Sequence, residues 1–174
     1  MGRGCEVRWL DLIDYREAWD LQLRLVHERA THRIPDQLLL LEHPHVFTLG
    51  RRGRTANVLS SDEAIAAAGA QLIHTDRGGD VTYHGPGQLV GYPIVYLDET
   101  ERDVPGYVRR LEEAIIRTLA DFGIQGDRER GLPGVWVADE KICAIGVKIS
   151  EWVTLHGFAL NVSTDMSYFG QIIP

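Results

Sequence analysis

RGGDVTYHGPGQLVGYP, residues 77–93, separates two architectures at once. Gly78-Gly79 after Arg77 reads as a tight turn, and Gly85-Pro86-Gly87 after His84 reads as another. Glycine suits both because it takes positive φ without a steric penalty. Between the turns lies a short strand that carries Thr82 and His84 on one face and Val81 and Tyr83 on the other. The glycines do not follow G-x-G-x-x-G and no helix follows them, so a dinucleotide-binding unit fits poorly. A phosphate loop fails too, since G-K-[ST] is absent here. The stretch continues into a longer strand over 88–97, whose Pro93 calls for a sheet edge or a bulge.

Working outward, residues 5–11 read as a first strand. Residues 14–31 read as a helix with Tyr15, Trp19, Leu23, Val26 and Ala30 on one apolar face. Leu38–Leu41 is a short buried strand, and Val46–Leu49, after the HPH step, is expected as its neighbour. Ser60 and Glu63 form a capping box for a helix over 61–68, closed by Gly69. Residues 71–74 read as a strand. Pro105 opens a second long helix that buries Val108, Leu111, Ile115, Leu119 and Phe122. Runs at 134–137, 141–149 and 153–162 are expected to form an antiparallel meander. Helices mixed with hairpins, rather than a regular βαβα alternation, make this one α/β (α+β-like) domain over 1–174, a mixed sheet flanked by helices.

The bulk numbers exclude several classes. A net charge of −7 argues against a nucleic-acid binder. No apolar run reaches the roughly 20 residues that span a bilayer, and no secretory signal is visible, so a cytoplasmic protein is expected. Two cysteines, Cys5 and Cys143, are too few for a disulfide framework or a cysteine-rich zinc site. The histidines lack H-x-x-x-H spacing, so no metal is expected.

The glycine stretch can be read in two ways: a plain hairpin corner with His84 hydrogen-bonded inside, or a cradle for a ligand carbonyl or carboxylate. A bracketed strand with Arg77 at one end and His84 at the other favours the cradle. A second unusual segment is EKICAIGVKISEWVTLHGFALNV, 140–162. Period-two alternation puts Lys141, Cys143, Ile145 and Val147 on one face, with Ala144 and Gly146 leaving room on the other. Lys141 is either a reactive lysine or a surface lysine salt-bridged near Asp139 and Glu140. Cys143 is either core filler or a nucleophile.

RGGDVTYHGPGQLVGYP resembles the signature of the lipoyl(octanoyl) transferases; KICAIGVKI with TLHGFALNV resembles that family's second block, and LEHPHVFTLGR, 41–51, its first. The match runs from about residue 8 to the end of the sequence. The resemblance implies a fold related to lipoate-protein ligases and to the catalytic domain of biotin protein ligases. It implies transfer of an octanoyl or lipoyl group from octanoyl-acyl carrier protein, through a cysteine thioester, to a lysine of lipoyl domains. Those domains belong to 2-oxoacid dehydrogenase acyltransferase subunits and the glycine cleavage H protein. No cofactor is implied, because a thioester is already activated; the implied state is a monomer. Substrate binding carries over to Arg77, Gly78, Gly79, Asp80, Val81, Thr82, Tyr83, His84, Ala144, Ile145, Gly146, Gly157, Phe158 and Ala159, and the catalytic lysine to Lys141. Arg51, Arg52 and Arg54 are a candidate docking patch for the acidic carrier protein. The family's cysteine nucleophile follows a run like DMSYFGQIIP and would come directly after Pro174, so the family's C-terminal segment is expected to be missing. Two other readings stay open: an acyl-binding or partner-binding protein without catalysis, and an ATP-dependent lipoate or biotin ligase.

Overall fold

The computed structural model describes residues 4–174. Chain order is β1 (Cys5–Leu12), α1 (Tyr15–Ala30), β2 (Asp36–Glu42), β3 (Val46–Leu49), α2 (Asp62–Ala67), β4 (Gln71–His74) and β5 (Val81–His84). Then come β6 (Gln88–Ile94), α3 (Val104–Asp121), β7 (Asp127–Glu129), β8 (Leu132–Val137), β9 (Glu140–Ser150), β10 (Val153–Asn161) and a 3₁₀ turn over Met166–Gln171. A seven-stranded mixed sheet has the order β1-β2-β6-β10-β9-β8-β7, and a three-stranded one the order β4-β3-β5. β8, β9 and β10 form the expected antiparallel meander.

The two long helices pack against different core clusters of the large sheet. Ala18, Leu25 and Val26 of α1 pack with Leu39, Leu41, Val90, Ile94 and Leu155. Ile115 and Leu119 of α3 pack with Val135, Cys143 and Leu160. α1 starts at Asp14, whose carboxylate accepts the N–H groups of Arg16 and Glu17 at 2.8 and 3.4 Å. The small sheet has its own core of Phe47, Leu49, Val81 and Tyr83, joined by Ile65 of α2 and by Ile172.

Five local expectations are corrected. β3 is not the neighbour of β2: after His43-Pro44-His45 the chain leaves the large sheet, and β3 becomes the central strand of the small one. The cap of α2 is Ser61 rather than Ser60, its hydroxyl accepting the Ala64 N–H at 3.3 Å. In α1, Gln22 is buried and Leu23 exposed, because the Gln22 Oε1 accepts the main-chain N–H of His156 at 2.7 Å. Phe122 sits at the end of α3, 77% exposed. Pro93 is not on an edge strand: β6 lies between β2 and β10. The ladder to β10 breaks near Pro93, where His156 takes φ 56° and the Thr154 hydroxyl donates to the Pro93 carbonyl at 2.6 Å.

Candidate active site

The Arg77–Asp80 turn is gripped from two sides. The N–H groups of Gly50, Arg51 and Arg52 donate to the carbonyls of Asp80, Arg77 and Gly79 at 2.9, 3.0 and 3.2 Å. On the other side the Gly78 N–H donates to the Val147 carbonyl of β9 at 3.0 Å. Arg77 is buried and folds back. Its Nε and Nη2 donate to the Thr48 hydroxyl at 3.1 and 2.9 Å, and Nη1 donates to the Gly78 carbonyl at 3.0 Å. Asp80 accepts from the Arg54 and Val81 N–H groups and from the Asn57 amide. Val81 and Tyr83 face the small-sheet core, and half-buried Thr82 pairs in register with Thr48.

The two other predicted segments lie side by side. Ala144 pairs with Ala159, Ile145 with Phe158, and Gly146 with Gly157. Side chains are excluded here by contact: a Cβ on Gly146 would stand 2.9 Å from the Gly78 carbonyl oxygen, and one on Gly157 would collide with the Gly91 carbonyl. Gly78, Gly146 and Gly157 thus belong to one seam where backbone meets backbone. The structure brings residues 77–79, 144–146 and 157–159 together; it gives Asp80, Val81 and Tyr83 places in the loop frame and the small-sheet core.

His84 is buried, and its Nδ1 donates to the Gln88 Oε1 at 2.7 Å. That direction is set by Gln88, whose Nε2 donates to the Tyr83 carbonyl and to Asn161. Its ring stacks on Tyr15 and meets His43 edge-on. The His43 Nδ1 donates to the Ile13 carbonyl at 2.8 Å, so its Nε2 accepts the Tyr92 hydroxyl at 2.7 Å. Burial pushes the His43 pKa down to about 4 and that of His84 well below the ordinary value. His156 donates from Nε2 to Asp76 at 2.7 Å, and Lys148 pairs with the other Asp76 oxygen at 2.7 Å. Hydrogen bonds from His156 and Lys148 pull the Asp76 carboxyl down to about 2, against the opposing effect of burial. The interior behind the seam is therefore a layer of neutral imidazoles. Asp76 stands directly before the motif's Arg77, but its partner His156 is distant in sequence and only packing reveals the pair.

Lys141 lies towards the other end of β9. It is half-buried, and among the described residues no carboxylate lies within ion-pair distance of it. Its Nζ stands 4.8 Å from the centroid of the Trp136 ring. Burial lowers its pKa below the usual lysine value. Glu112 of α3 is buried, but one of its oxygens accepts the Gly134 N–H at 3.1 Å and the other the Arg128 Nε at 3.2 Å. A bulge at Ile142 interrupts the expected alternation: Trp136 faces Lys141, whereas Val135 faces Cys143. Cys143 enters the α3 core fully buried, and burial pushes its pKa up to about 12. A thiol in that state is a core residue rather than a nucleophile.

The family model for the lipoyl protein ligase A/B catalytic domain matches residues 14–174. Over 172 residues the chain is 57% identical to an octanoyltransferase of Solibacter usitatus (strain Ellin6076), covering 99% of this chain and 78% of that one. The solved structure of lipoate-protein ligase A bound with ATP matches with a TM-score of 0.74 at 16% identity, over 100% of this chain and 72% of that one. The biotin acetyl coenzyme A carboxylase synthetase from Helicobacter pylori, with bound biotinylated ATP, matches at 0.56 and 13% identity, over 93% and 63%. At those identities the two structures speak for the fold alone, and they bear out the expected kinship with lipoate and biotin ligases. The chain belongs to the lipoyl protein ligase A/B catalytic domain family, and within it to the octanoyltransferases, which makes it an acyltransferase.

Proposed function

We propose that octanoyl transfer by this protein runs in two steps through a cysteine thioester, from octanoyl-acyl carrier protein to a lysine of a lipoyl domain. In the first step a cysteine thiolate attacks the octanoyl thioester carbonyl, and the carrier's thiolate leaves and takes up a proton. In the second, the neutral amine of the acceptor lysine attacks the enzyme thioester. An amide forms, the amine gives up its extra proton, and the cysteine thiolate is released. The acceptors are lipoyl domains of 2-oxoacid dehydrogenases and the glycine cleavage H protein, and the setting is the cytoplasm.

The observation that carries the thioester route is Lys141, a half-buried ammonium with no carboxylate to neutralise it among the described residues. Such a charge lowers the pKa of a neighbouring thiol and later exchanges a proton with the incoming amine. Arg77, Gly78 and Gly79, with Ala144-Ile145-Gly146 and Gly157-Phe158-Ala159, line the acyl chain in this reading, and His84 belongs to the layer behind them. Each methylene buried beside these segments contributes about 0.8 kcal/mol. Cys143 is unsuited to be the nucleophile, and the family pattern puts the reactive cysteine directly after Pro174. The 3₁₀ turn before Pro174 is anchored: Tyr168 stacks on Tyr83, and the Ile173 N–H donates to the Asn57 carbonyl at 2.8 Å.

The test is the intact mass of the full-length protein mixed with octanoyl-acyl carrier protein and no ATP. One hydroxylamine-labile octanoyl group on a cysteine is expected. A requirement for ATP would move the protein to the ligases, and an adduct on Cys143 would relocate the nucleophile.

A further inference from the structure

A lysine whose charge serves a thiolate meets a conflict. A long flexible side chain must be held still, and the usual way is an ion pair with a carboxylate. That pair would spend the charge the thiolate needs. The surroundings of Lys141 avoid it. Glu112, a buried carboxylate on the facing helix, has one oxygen on the Gly134 N–H and the other on Arg128. Asp139 and Glu140, its chain neighbours, are exposed and make no ion pair with it. What Lys141 does meet is an aromatic face, with its Nζ 4.8 Å from the Trp136 ring centroid. The stem is guided as well. Gly134 sits at φ 136°, and a Cβ there would stand 3.4 and 3.5 Å from the Cε and Cδ of Lys141.

We propose that Trp136 is a positioning residue for octanoyl transfer: its indole face holds the Lys141 ammonium in place of a carboxylate, so that the lysine is fixed without being neutralised. This rests on the role of Lys141 proposed above. An aromatic face attracts a cation through its quadrupole and carries no net charge of its own. The choice of tryptophan has a visible cost. Among the described residues the buried Trp136 Nε1 has no hydrogen-bond partner, and an unmet donor of this kind is destabilising. A phenylalanine would remove that cost but offers a weaker face, and tryptophan binds cations best. The position therefore keeps the stronger face despite the orphaned N–H. The β9 bulge at Ile142 completes the arrangement by setting Lys141 opposite Trp136 while Cys143 turns into the core.

The experiment uses the full-length protein, octanoyl-acyl carrier protein as donor, and single-turnover acyl loading followed by mass. Trp136→Leu is expected to slow loading about tenfold with the half-saturating donor concentration unchanged, and Trp136→Phe to recover most of that loss. Circular dichroism establishes that both variants are folded. In a Lys141→Ala background, Trp136→Leu is expected to slow loading no further, because it acts through the lysine. The Lys141 Cε protons should be shifted upfield by the indole ring in the native protein and return to ordinary positions in Trp136→Leu. Equal slowing with and without Lys141, or an unshifted Cε signal, would overturn the positioning role. A Lys141→Ala variant that loads as fast as the native protein would overturn the reading of the lysine itself. That failure shows in the lysine variant alone, so the two are separable.

Discussion

The two ends of β9 are held by opposite means. Around Val147 the strand is tied to the Gly78 turn by main-chain hydrogen bonding, and Gly146 leaves no space for a side chain against the Gly78 carbonyl. At Lys141 the contact is one aromatic ring against one ammonium. The first end is set by backbone shape and is backed by neutral imidazoles. The second is set by what the lysine lacks among the described residues, a carboxylate partner. In the proposed reaction the first end moulds an alkyl chain by steric exclusion, and the second lends a positive charge by electrostatic isolation.

The sharpest way to break this contrast is at the charged end. Lys141→Ala should slow acyl loading on the order of 10² to 10⁴-fold near neutral pH, with the fold intact. Raising the pH should restore much of the rate, since a thiol above its own pKa needs no ammonium to ionise it. Without that rescue, the lysine does not act through thiol ionisation.

At the seam the expected effect is smaller and falls on stability as well. In Gly146→Val the added side chain must push back the Gly78 carbonyl at 2.9 Å and the Arg77 stem at 3.3 Å. Overpacking of this kind costs about 1–3 kcal/mol, read as a lower denaturation midpoint, and octanoyl loading should fall with it. Gly170→Ala, where a Cβ meets nothing within 4 Å among the described residues, should stay within about 0.5 kcal/mol of the native protein. Equal effects in the two variants would mean that the seam is not close-packed.

The smallest effect sharpens the difference in charge. His43, His84 and His156 have pKa values lowered by burial, His43 from 6.5 to about 4. Their folded values lie below the unfolded ones, so the unfolded chain binds more protons in that window. The stability that a neutral His43 permits is whole above pH 6.5 and is lost as pH falls towards about 4, and His84 and His156 act in the same direction. Within that window His43 adds a slope of about 1.4 kcal/mol per pH unit. His43→Gln should remove one histidine's share of the slope in denaturant titrations between pH 6.5 and 4. An unchanged slope would mean that His43 does not stay neutral in the folded protein.

Much of this molecule was legible along the chain because its cues are local. Gly78-Gly79 and Gly85-Pro86-Gly87 announce turns; Pro105 and Gly123 bound a helix; the small residues of AIG and HGFA announce close approach. The misses share a cause. Val46–Leu49 has the pattern of a buried strand, but a pattern does not name its partner, and the chain crosses to the second sheet within three residues. Leu23 fits the apolar face of α1, yet Gln22 is the residue taken inside, because His156, at φ 56° within β10, presents an N–H that needs an acceptor. Alternation set Lys141 and Cys143 on one face until one extra residue in β9 separated them.

By itself the sequence determined the class of domain, the turns, the family and the short segments of the proposed site, since steric limits on glycine and proline and the hydrophobic period act within a few residues. Tertiary structure alone decided that residues 77–79, 144–146 and 157–159 meet at one seam, that Cys143 is withdrawn into a core, and that Lys141 rests on Trp136 with Glu112 engaged elsewhere. Those outcomes depend on strand register and on which groups lose water together, and both are set by contacts between residues far apart in the chain.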